Sequence, residues 1–559
     1  MTWSIAGATM EGAPLAPEGR RDPKRLFSLF LGIFAVANAL PLFCVKHLPF
    51  TDLPEHVAAM ATIARLLPGG GGAPYVLELG KSQYLLYHLL GALLTRVVGD
   101  AVLANQLVLA LVAVAWPLAM RRLLRALGRD ERIALFAPMV FWNRALAVGF
   151  LPFIAALPLA LFALATLLDH CRAPTRRRAV GLVGLSVALF YAHASAYVVF
   201  VLCAGAIAAA SCLVHRAALD AHRPTWRPLL STLPLLLPSV AAAALWWSTG
   251  SLALGAGHDA EVVRMAVVDT VSALPMWTFD IWKSHLDEVA AALWWSAFSL
   301  IVVGGLSRPP EPGGRWVLAV LPFAVSLLVY LATPHHVGAA GYLNVRLAPL
   351  VTLLALATLR PREDLWGTVP LGMAALATMV MAWSSAGEIQ RVSEERLGDF
   401  DALLAKAKPG GRLAMLDFQV ASPRTHEWPY VFAGSLYRAR GGAIAAYSFT
   451  DLPHWPVHYA PGLGPPPSVP FWVYRPCAYR YRMDGTYYDY VLVQGEMNPW
   501  DDEHPRVGPT FAPVATSGAF TLYAKVSQED AAPDAPEHGP CMDGAVDASP
   551  SGDQVDAPP

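Results

Sequence analysis

Charge is scarce in this chain. Only 15% of its 559 residues are Asp, Glu, Lys or Arg against 55% hydrophobic, and the mean hydropathy is +0.42. That composition cannot coat the surfaces of several soluble domains, so an ordinary soluble globule is excluded. The net charge of −1 supplies no basic field, which excludes nucleic acid as a partner. Cysteine is sparse: six residues, with no C-x-x-C or zinc spacing. P-loop, G-x-G-x-x-G and nucleophile-elbow motifs are missing, and the Gly69 to Gly72 run lacks the Lys-Ser/Thr of a phosphate cradle. Lysine is rare as well, 7 against 34 arginines, which fits a GC-rich bacterial source.

The chain does contain repeated apolar runs of the length that crosses a ~30 Å hydrocarbon layer. They lie at 26–45, 101–120, 133–149, 150–168, 179–194, 195–214, 229–248, 289–306, 316–333, 341–359 and 365–386, predicting eleven spans. Arg20, Arg21, Lys24 and Arg25 precede the first, and arginines return in every second connection, at Arg121 to Arg129, Arg172 to Arg178, Arg216 to Arg227, Arg308 and Arg315, and Arg360 and Arg362. By the positive-inside rule those loops and the 1–25 tail are cytoplasmic. The first span has no A-x-A site after it and reads as a retained signal anchor. Ser82 to Val98 is apolar but holds His88 and Arg96; counting it as a crossing would invert every later arginine loop, so it is expected to be interfacial or re-entrant.

Eleven crossings place everything after residue 388 outside. Alternating stretches at 412–420, 443–449, 471–474, 487–494 and 519–525, with a helical 398–407, predict an extracytoplasmic α+β domain over 389–527. Residues 528–559 are rich in acids and prolines, without Lys or Arg, and are expected to be disordered. Cys477 and Cys541 are both external, and an oxidising compartment permits a bridge between them. Trp428, Trp455 and Trp472, with the tyrosines around them, could stack on sugars or pack a β-domain core.

Chemistry is expected on the external loops. The 46–100 loop opens with Thr51-Asp52-Leu53-Pro54-Glu55-His56. Pro54 suits a first helical turn, and Leu53, Val57, Met60, Ile63 and Leu67 form one apolar stripe, so 53–67 reads as an amphipathic helix on the membrane surface with Asp52, Glu55 and His56 along one edge. Asp52 with Glu55 three residues on also has the form of an acidic capping box, a purely structural alternative. Arg346, in Tyr342-Leu343-Asn344-Val345-Arg346-Leu347, stands in an otherwise apolar helix, where a charge normally has a partner. Arg144 and His193 fall at other external turns, and His335 and His336 in the last external loop. No motif requires a cofactor. A divalent metal is the one candidate addition, because Asp52, Glu55, His56, His335 and His336 offer suitable donor types.

In these features the chain resembles the GT-C glycosyltransferases, membrane enzymes that use polyprenyl-phosphate-linked sugars. The resemblance covers roughly residues 20–390: a cytoplasmic N-terminus, about eleven spans, a long first external loop with an acid just after the first span, and a later external domain. It implies an all-α, GT-C-like membrane domain over 26–388 and a catalytic base at Asp52. Many members carry adjacent acids or D-x-D there, whereas Leu53 and Pro54 separate Asp52 from Glu55 here. The chemistry needs a carboxylate to take the acceptor proton, from Asp52 or Glu55, and a cation for the leaving phosphate, best met by Arg346, with His56, His193, Arg144, His335 and His336 as further binding candidates. The expected partners are a polyprenyl-phosphate sugar, membrane lipid and an extracytoplasmic glycan, lipid or protein acceptor, in a bacterial inner membrane. A transporter or lipid flippase, with ionisable residues along a polar pathway, and a noncatalytic protein presenting its external domain remain the alternatives.

Overall fold

The computed structural model describes residues 23–67, 69, 74–218, 226–248, 261–306, 316–338, 340–441, 444–446, 448–466, 473, 476–500 and 510–526. The first 22 residues, the acidic tail and Cys541, and with it the Cys477–Cys541 pairing, lie outside the described residues, as does most of the 471–474 stretch.

The apolar runs become helices. These are α1 (Pro23–Ala39), α2 (Leu53–Leu66), α3 (Leu85–Val98), α4 (Ala101–Leu127), α5 (Ala137–Val140), α6 (Arg144–Val148), α7 (Leu151–Arg172), α8 (Arg176–Ala192), α9 (Ala194–Ala218), α10 (Arg227–Ser248), α11 (Val267–Phe279), α12 (His285–Leu306), α13 (Trp316–Ala332), α14 (Ala348–Leu356) and α15 (Leu365–Arg396). Among the described residues, seven helices are long and apolar enough to cross a membrane: Arg25–Phe43, Ala101–Leu127, Leu151–Arg172, Ala194–Val214, Arg227–Ser248, His285–Gly305 and Leu365–Leu404. Leu85–Val98, Trp316–Ala332 and Val345–Leu356 are shorter apolar helices. This is a multi-pass membrane fold.

Two expected spans are not continuous helices. Over 133–149 the chain runs as a 3-10 turn (Glu131–Phe136), then α5, then α6. Pro138 starts α5, the Asn143 side chain caps α6 by accepting from Leu146 N at 3.0 Å, and Gly149 ends α6 at φ +95°. At its end the broken stretch holds the start of the first loop, with Thr51 N and Asp52 N donating to Ala147 O and Val148 O, each at 3.0 Å. Over 341–359 the Asn344 side chain accepts from Val345 N at 3.0 Å, so helix begins only there, as a 3-10 turn (Val345–Leu347) leading into the nine-residue α14. Helix α11 lies within a stretch expected to be loop. Helix α3, with 14 residues, is only about 21 Å long.

The amphipathic surface helix expected at 53–67 is instead enclosed. Every residue of α2 from Leu53 to Ala64 is buried, because α3 and α4 cover one side and the C-terminal part of the chain covers the other. That part holds α16 (Phe400–Leu404), α17 (Ser435–Gly441) and a five-stranded sheet. Over the described residues of the whole chain the strands are β1 (Tyr75–Leu77), β2 (Val262–Val263), β3 (His336–Val337), β4 (Arg412–Asp417), β5 (Ile444–Ala445), β6 (Val457–Tyr459), β7 (Tyr490–Gln494), β8 (Phe511–Ser517) and β9 (Phe520–Lys525), of which β4, β5, β7, β8 and β9 form the sheet. The sheet order is β5-β4-β7-β9-β8, with β4 parallel to β5 and β7 and β9 antiparallel to β7 and β8. The central β4 and β7 are apolar on both faces and almost wholly buried, as a doubly covered parallel pair must be.

Docking onto the helices is polar and repeated. Strand β1 of the first loop pairs antiparallel with β6, while β2 and β3 pair with each other within the helical part. Asp401 receives Lys46 at 2.5 Å, Arg440 at 2.6 Å and His47 at 3.0 Å, and the Tyr430 hydroxyl donates to His47 O at 2.9 Å.

Candidate active site

The turn from Asn143 to Phe150 organises the site. It supplies the backbone carbonyls that hold Thr51 and Asp52, and its last two residues reach two further groups. Gly149 O lies 2.9 Å from His56 Nε2, and the Phe150 ring carries the Arg346 guanidinium 3.8 Å from its centroid. Gly149 is required here. Its φ is +95°, and a Cβ would fall 2.6 Å from Asp52 N and 2.9 Å from Asp52 Cβ.

Asp52 sits at the N-terminus of α2 but does not cap it. Its backbone is helical (φ −87°, ψ −4°) and its side chain makes no capping bond, so the capping-box alternative does not apply. The carboxylate is half-buried and accepts no hydrogen bond among the described residues. Burial pushes its pKa up to about 8; Arg346 pulls it down, and Glu55 and Glu427 push it further up. Of the charged groups, Arg346 acts on it most strongly.

Arg346 lies in the Val345–Leu347 turn. Its Nη2 donates to Gly341 O at 3.1 Å, and its buried Nε has no partner among the described residues. The Tyr84 hydroxyl lies beside it, and its field reaches His193, His336 and His454. The ring of His193, at the break between α8 and α9, packs 5.1 Å from both Phe153 and Tyr84. His454 stands 5.1 Å from Tyr84 on the other side, and burial, then Arg346 and His458, take its pKa down to about 4. A carboxyl group and a cation thus stand together, with aromatic and imidazole rings around the cation.

The three groups expected along one edge of α2 diverge. Glu55 turns to the C-terminal part of the chain. There it accepts from the Ser435 hydroxyl, from Arg438 Nη2 at 3.1 Å, from the Ser448 hydroxyl at 3.0 Å and from Phe449 N at 3.2 Å, with both charged side chains 0% exposed. His56 is consumed by Gly149 O and His88. Only Asp52 is left to face Arg346.

Arg144 is paired with Glu427 at 2.5 Å, joining α6 to the C-terminal part. His335 stacks on Trp277 (5.8 Å, 20°) and bonds Asn344 Oδ1 at 2.8 Å. His336 is closely backed by Gly341, where a Cβ would meet its Nε2 at 2.5 Å. Among the described residues no three His, Cys, Asp or Glu side chains form a group that could hold a metal ion. Both ring nitrogens of His56 are already engaged, so it has no lone pair to give one.

Sequence reading missed Tyr84, His454, Glu427 and the Gly149–Phe150 seat. Tyr84 and Glu427 carry no local signal. The density of His and Trp in Pro453-His454-Trp455-Pro456-Val457-His458 was a usable one. Trp455 is 2% exposed and packs 5.3 Å from His56 and 4.7 Å from His88, a structural wall of the site.

The sequence matches no protein-family model and no curated protein significantly. Among solved structures the chain is similar to ArnT from Cupriavidus metallidurans bound to undecaprenyl phosphate, with a TM-score of 0.56 at 11% identity, covering 90% of this chain and 99% of that one. The apo state of the same protein gives 0.53 at 12% identity, over 90% and 98%. The arabinofuranosyltransferase AftD from Mycobacteria gives 0.47 at 18% identity, and the match spans only 42% of its length. At these identities the likeness is one of fold, and the end-to-end match with ArnT carries it.

Proposed function

We propose, starting from a chain that has the GT-C glycosyltransferase fold, that it is an integral membrane glycosyltransferase moving a sugar from a polyprenyl phosphate to an extracytoplasmic acceptor with inversion. The observation that carries this reading is the contrast at α2. Glu55 and His56 are fully engaged, while the nearby Asp52 carboxylate accepts no hydrogen bond among the described residues and shares its surroundings with Arg346.

Asp52 is the general base. It takes the proton of the acceptor hydroxyl as that oxygen attacks the anomeric carbon from the face opposite the lipid phosphate. Arg346, its planar fork displayed on Phe150, meets the charge that develops on the departing phosphate. Its unpartnered Nε marks unused donor capacity. Tyr84, His193, His336 and His454 ring the same charge and orient the donor head. Glu55 is an anchor, and Arg144 acts through Glu427 to fix the α6 turn. Undecaprenyl phosphate bound to ArnT supports a polyprenyl phosphate as the lipid partner. In this reading the Asp52 end of the bundle and residues 389–527 face the exterior of a bacterial inner membrane, with the N-terminus in the cytoplasm. Crossings by α8, by Trp316–Ala332 and by the two broken stretches at 133–149 and 341–359 bring the seven long helices to eleven, with Leu85–Val98 not crossing.

The test is transfer by purified protein in nanodiscs, with a panel of polyprenyl-phosphate sugars and total envelope glycolipid as acceptor. Wild type transfers one of them, Asp52→Asn loses transfer while still retaining donor lipid in native mass spectrometry, and Arg346→Ala loses that lipid. Full transfer by Asp52→Asn sinks the mechanism.

A further inference from the structure

Behind Asp52 runs a buried chain of three polar contacts. His56 Nε2 lies 2.9 Å from Gly149 O, His56 Nδ1 lies 2.9 Å from His88 Nε2, and His88 Nδ1 lies 2.8 Å from Tyr84 O. His56 is 3% exposed and His88 0%, so water cannot substitute for any member. The rings sit 5.1 Å apart, centroid to centroid, with planes 22° from parallel. That is the spacing of two nearly coplanar imidazoles whose nitrogens point at each other, too wide for rings lying face on face.

Both ends of the chain are backbone carbonyls, which only accept. Three contacts between two acceptors therefore require three N–H groups, and two neutral imidazoles own two. Whichever tautomers are chosen, a neutral pair leaves one contact with two lone pairs facing each other in a dry site. We infer that His56 and His88 share one additional proton as an N–H···N bond, and that this singly charged pair is a positioning device that seats the Gly149 carbonyl, and with it the Asp52 backbone, in the active site.

The surroundings fit one positive charge. Asp52, the residue before α2, is four positions ahead of His56 in sequence, and Glu55 is adjacent but already paired with Arg438 of α17. Tyr84 and Tyr87 flank the pair on α3, with Tyr87 donating to Asn105 of α4 at 2.6 Å. From the C-terminal part come Trp455 and, beyond Tyr84, His454; from the α8–α9 break comes His193, also against Tyr84. The α6–α7 turn brings only the Gly149 carbonyl. Burial disfavours the charge on either ring, and in this proposal a charged pair favours the ionised form of the nearby Asp52 carboxyl. This second effect rests on the transferase reading above; the shared proton does not.

Two measurements separate the claims. Full-length protein labelled with 15N-histidine, in nanodiscs without substrate, is expected to show one strongly downfield imidazole proton correlated with nitrogens of two rings, and His88→Gln and His56→Gln to lack it. Two neutral rings with no such correlation in wild type overturn the inference, whether or not transfer is ever detected. For function, the His88→Gln amide can still donate to His56 Nδ1, so the chain survives without the charge. Its kcat/KM is expected to fall on the order of tenfold near pH 7 and to recover as the pH rises, because Asp52 then ionises later. A pH profile superimposable on wild type, from a variant that lacks the shared-proton signal, overturns the positioning role.

Discussion

Arg438→Met removes the cation from the anchor between α2 and the C-terminal part of the chain. Its partner Glu55 is fully buried, so neither water nor salt can replace the guanidinium. Breaking one side of such a pair costs about 3–5 kcal/mol. Glu55 keeps the Ser435 and Ser448 hydroxyls and Phe449 N–H, donors worth about 1.5–3 kcal/mol each to a charged acceptor, so the lower end, ~3 kcal/mol, is expected. In Glu55→Gln/Arg438→Met neither charge remains, and the double variant is expected to cost less than the two single changes added, by about 1 kcal/mol or more. The assay is denaturant or thermal unfolding in nanodiscs, followed by tryptophan fluorescence, with limited proteolysis to report undocking of the C-terminal part. Wild-type stability in Arg438→Met, or strict additivity in the double variant, would refute the anchor.

Three further outcomes follow from the site. Asp52 must be ionised to accept a proton and its carboxyl is raised to about 8 by burial, so kcat/KM climbs with pH through the range in which that group ionises, with the charge on the histidine pair drawing the midpoint lower; a profile flat between about pH 6 and pH 9 contradicts this. Gly149→Ala places a Cβ against the Asp52 backbone at a positive φ, and is expected to lose about 2 kcal/mol of stability and on the order of 100-fold in kcat, read by melting and single-turnover transfer. Arg346→Lys keeps the charge but loses the planar fork and the stack on Phe150, so the donor KM should rise about tenfold or more; an unchanged KM removes Arg346 from the donor site.

The long apolar runs made the helices legible, because a charge-free stretch of that length has one outcome in a bilayer. Where a run contained its own breakers the reading failed. Asn143 and Gly149 look innocuous inside 133–149, yet a side-chain cap and a left-handed residue cut that crossing into pieces. Asp52 drew notice by its position after the first span and Arg346 by its isolation in an apolar segment, and the fold brings them near enough that Arg346 is the charge acting most strongly on Asp52. The fate of Glu55 was not legible. Its spacing from Asp52 matched a local cap, but the donors that claimed it lie about 380 or more residues away in sequence, where no periodicity reports on them. For the same reason the stripe on α2 suggested one wet face, when the C-terminal part of the chain covers that face.

The pairing of β1 with β6 bears on how the protein is made. Tyr75 and its partner Tyr459 are separated by about 380 residues, so at ribosomal rates of roughly 5–20 residues per second the first loop waits roughly 20–80 s for its other strand. Glu55 likewise waits for Arg438, and α2 for the α17 that packs on it, for nearly as long. The nascent chain therefore carries α2 long before it carries the segment that covers it, and a chain halted short of β6 leaves β1 without its partner strand.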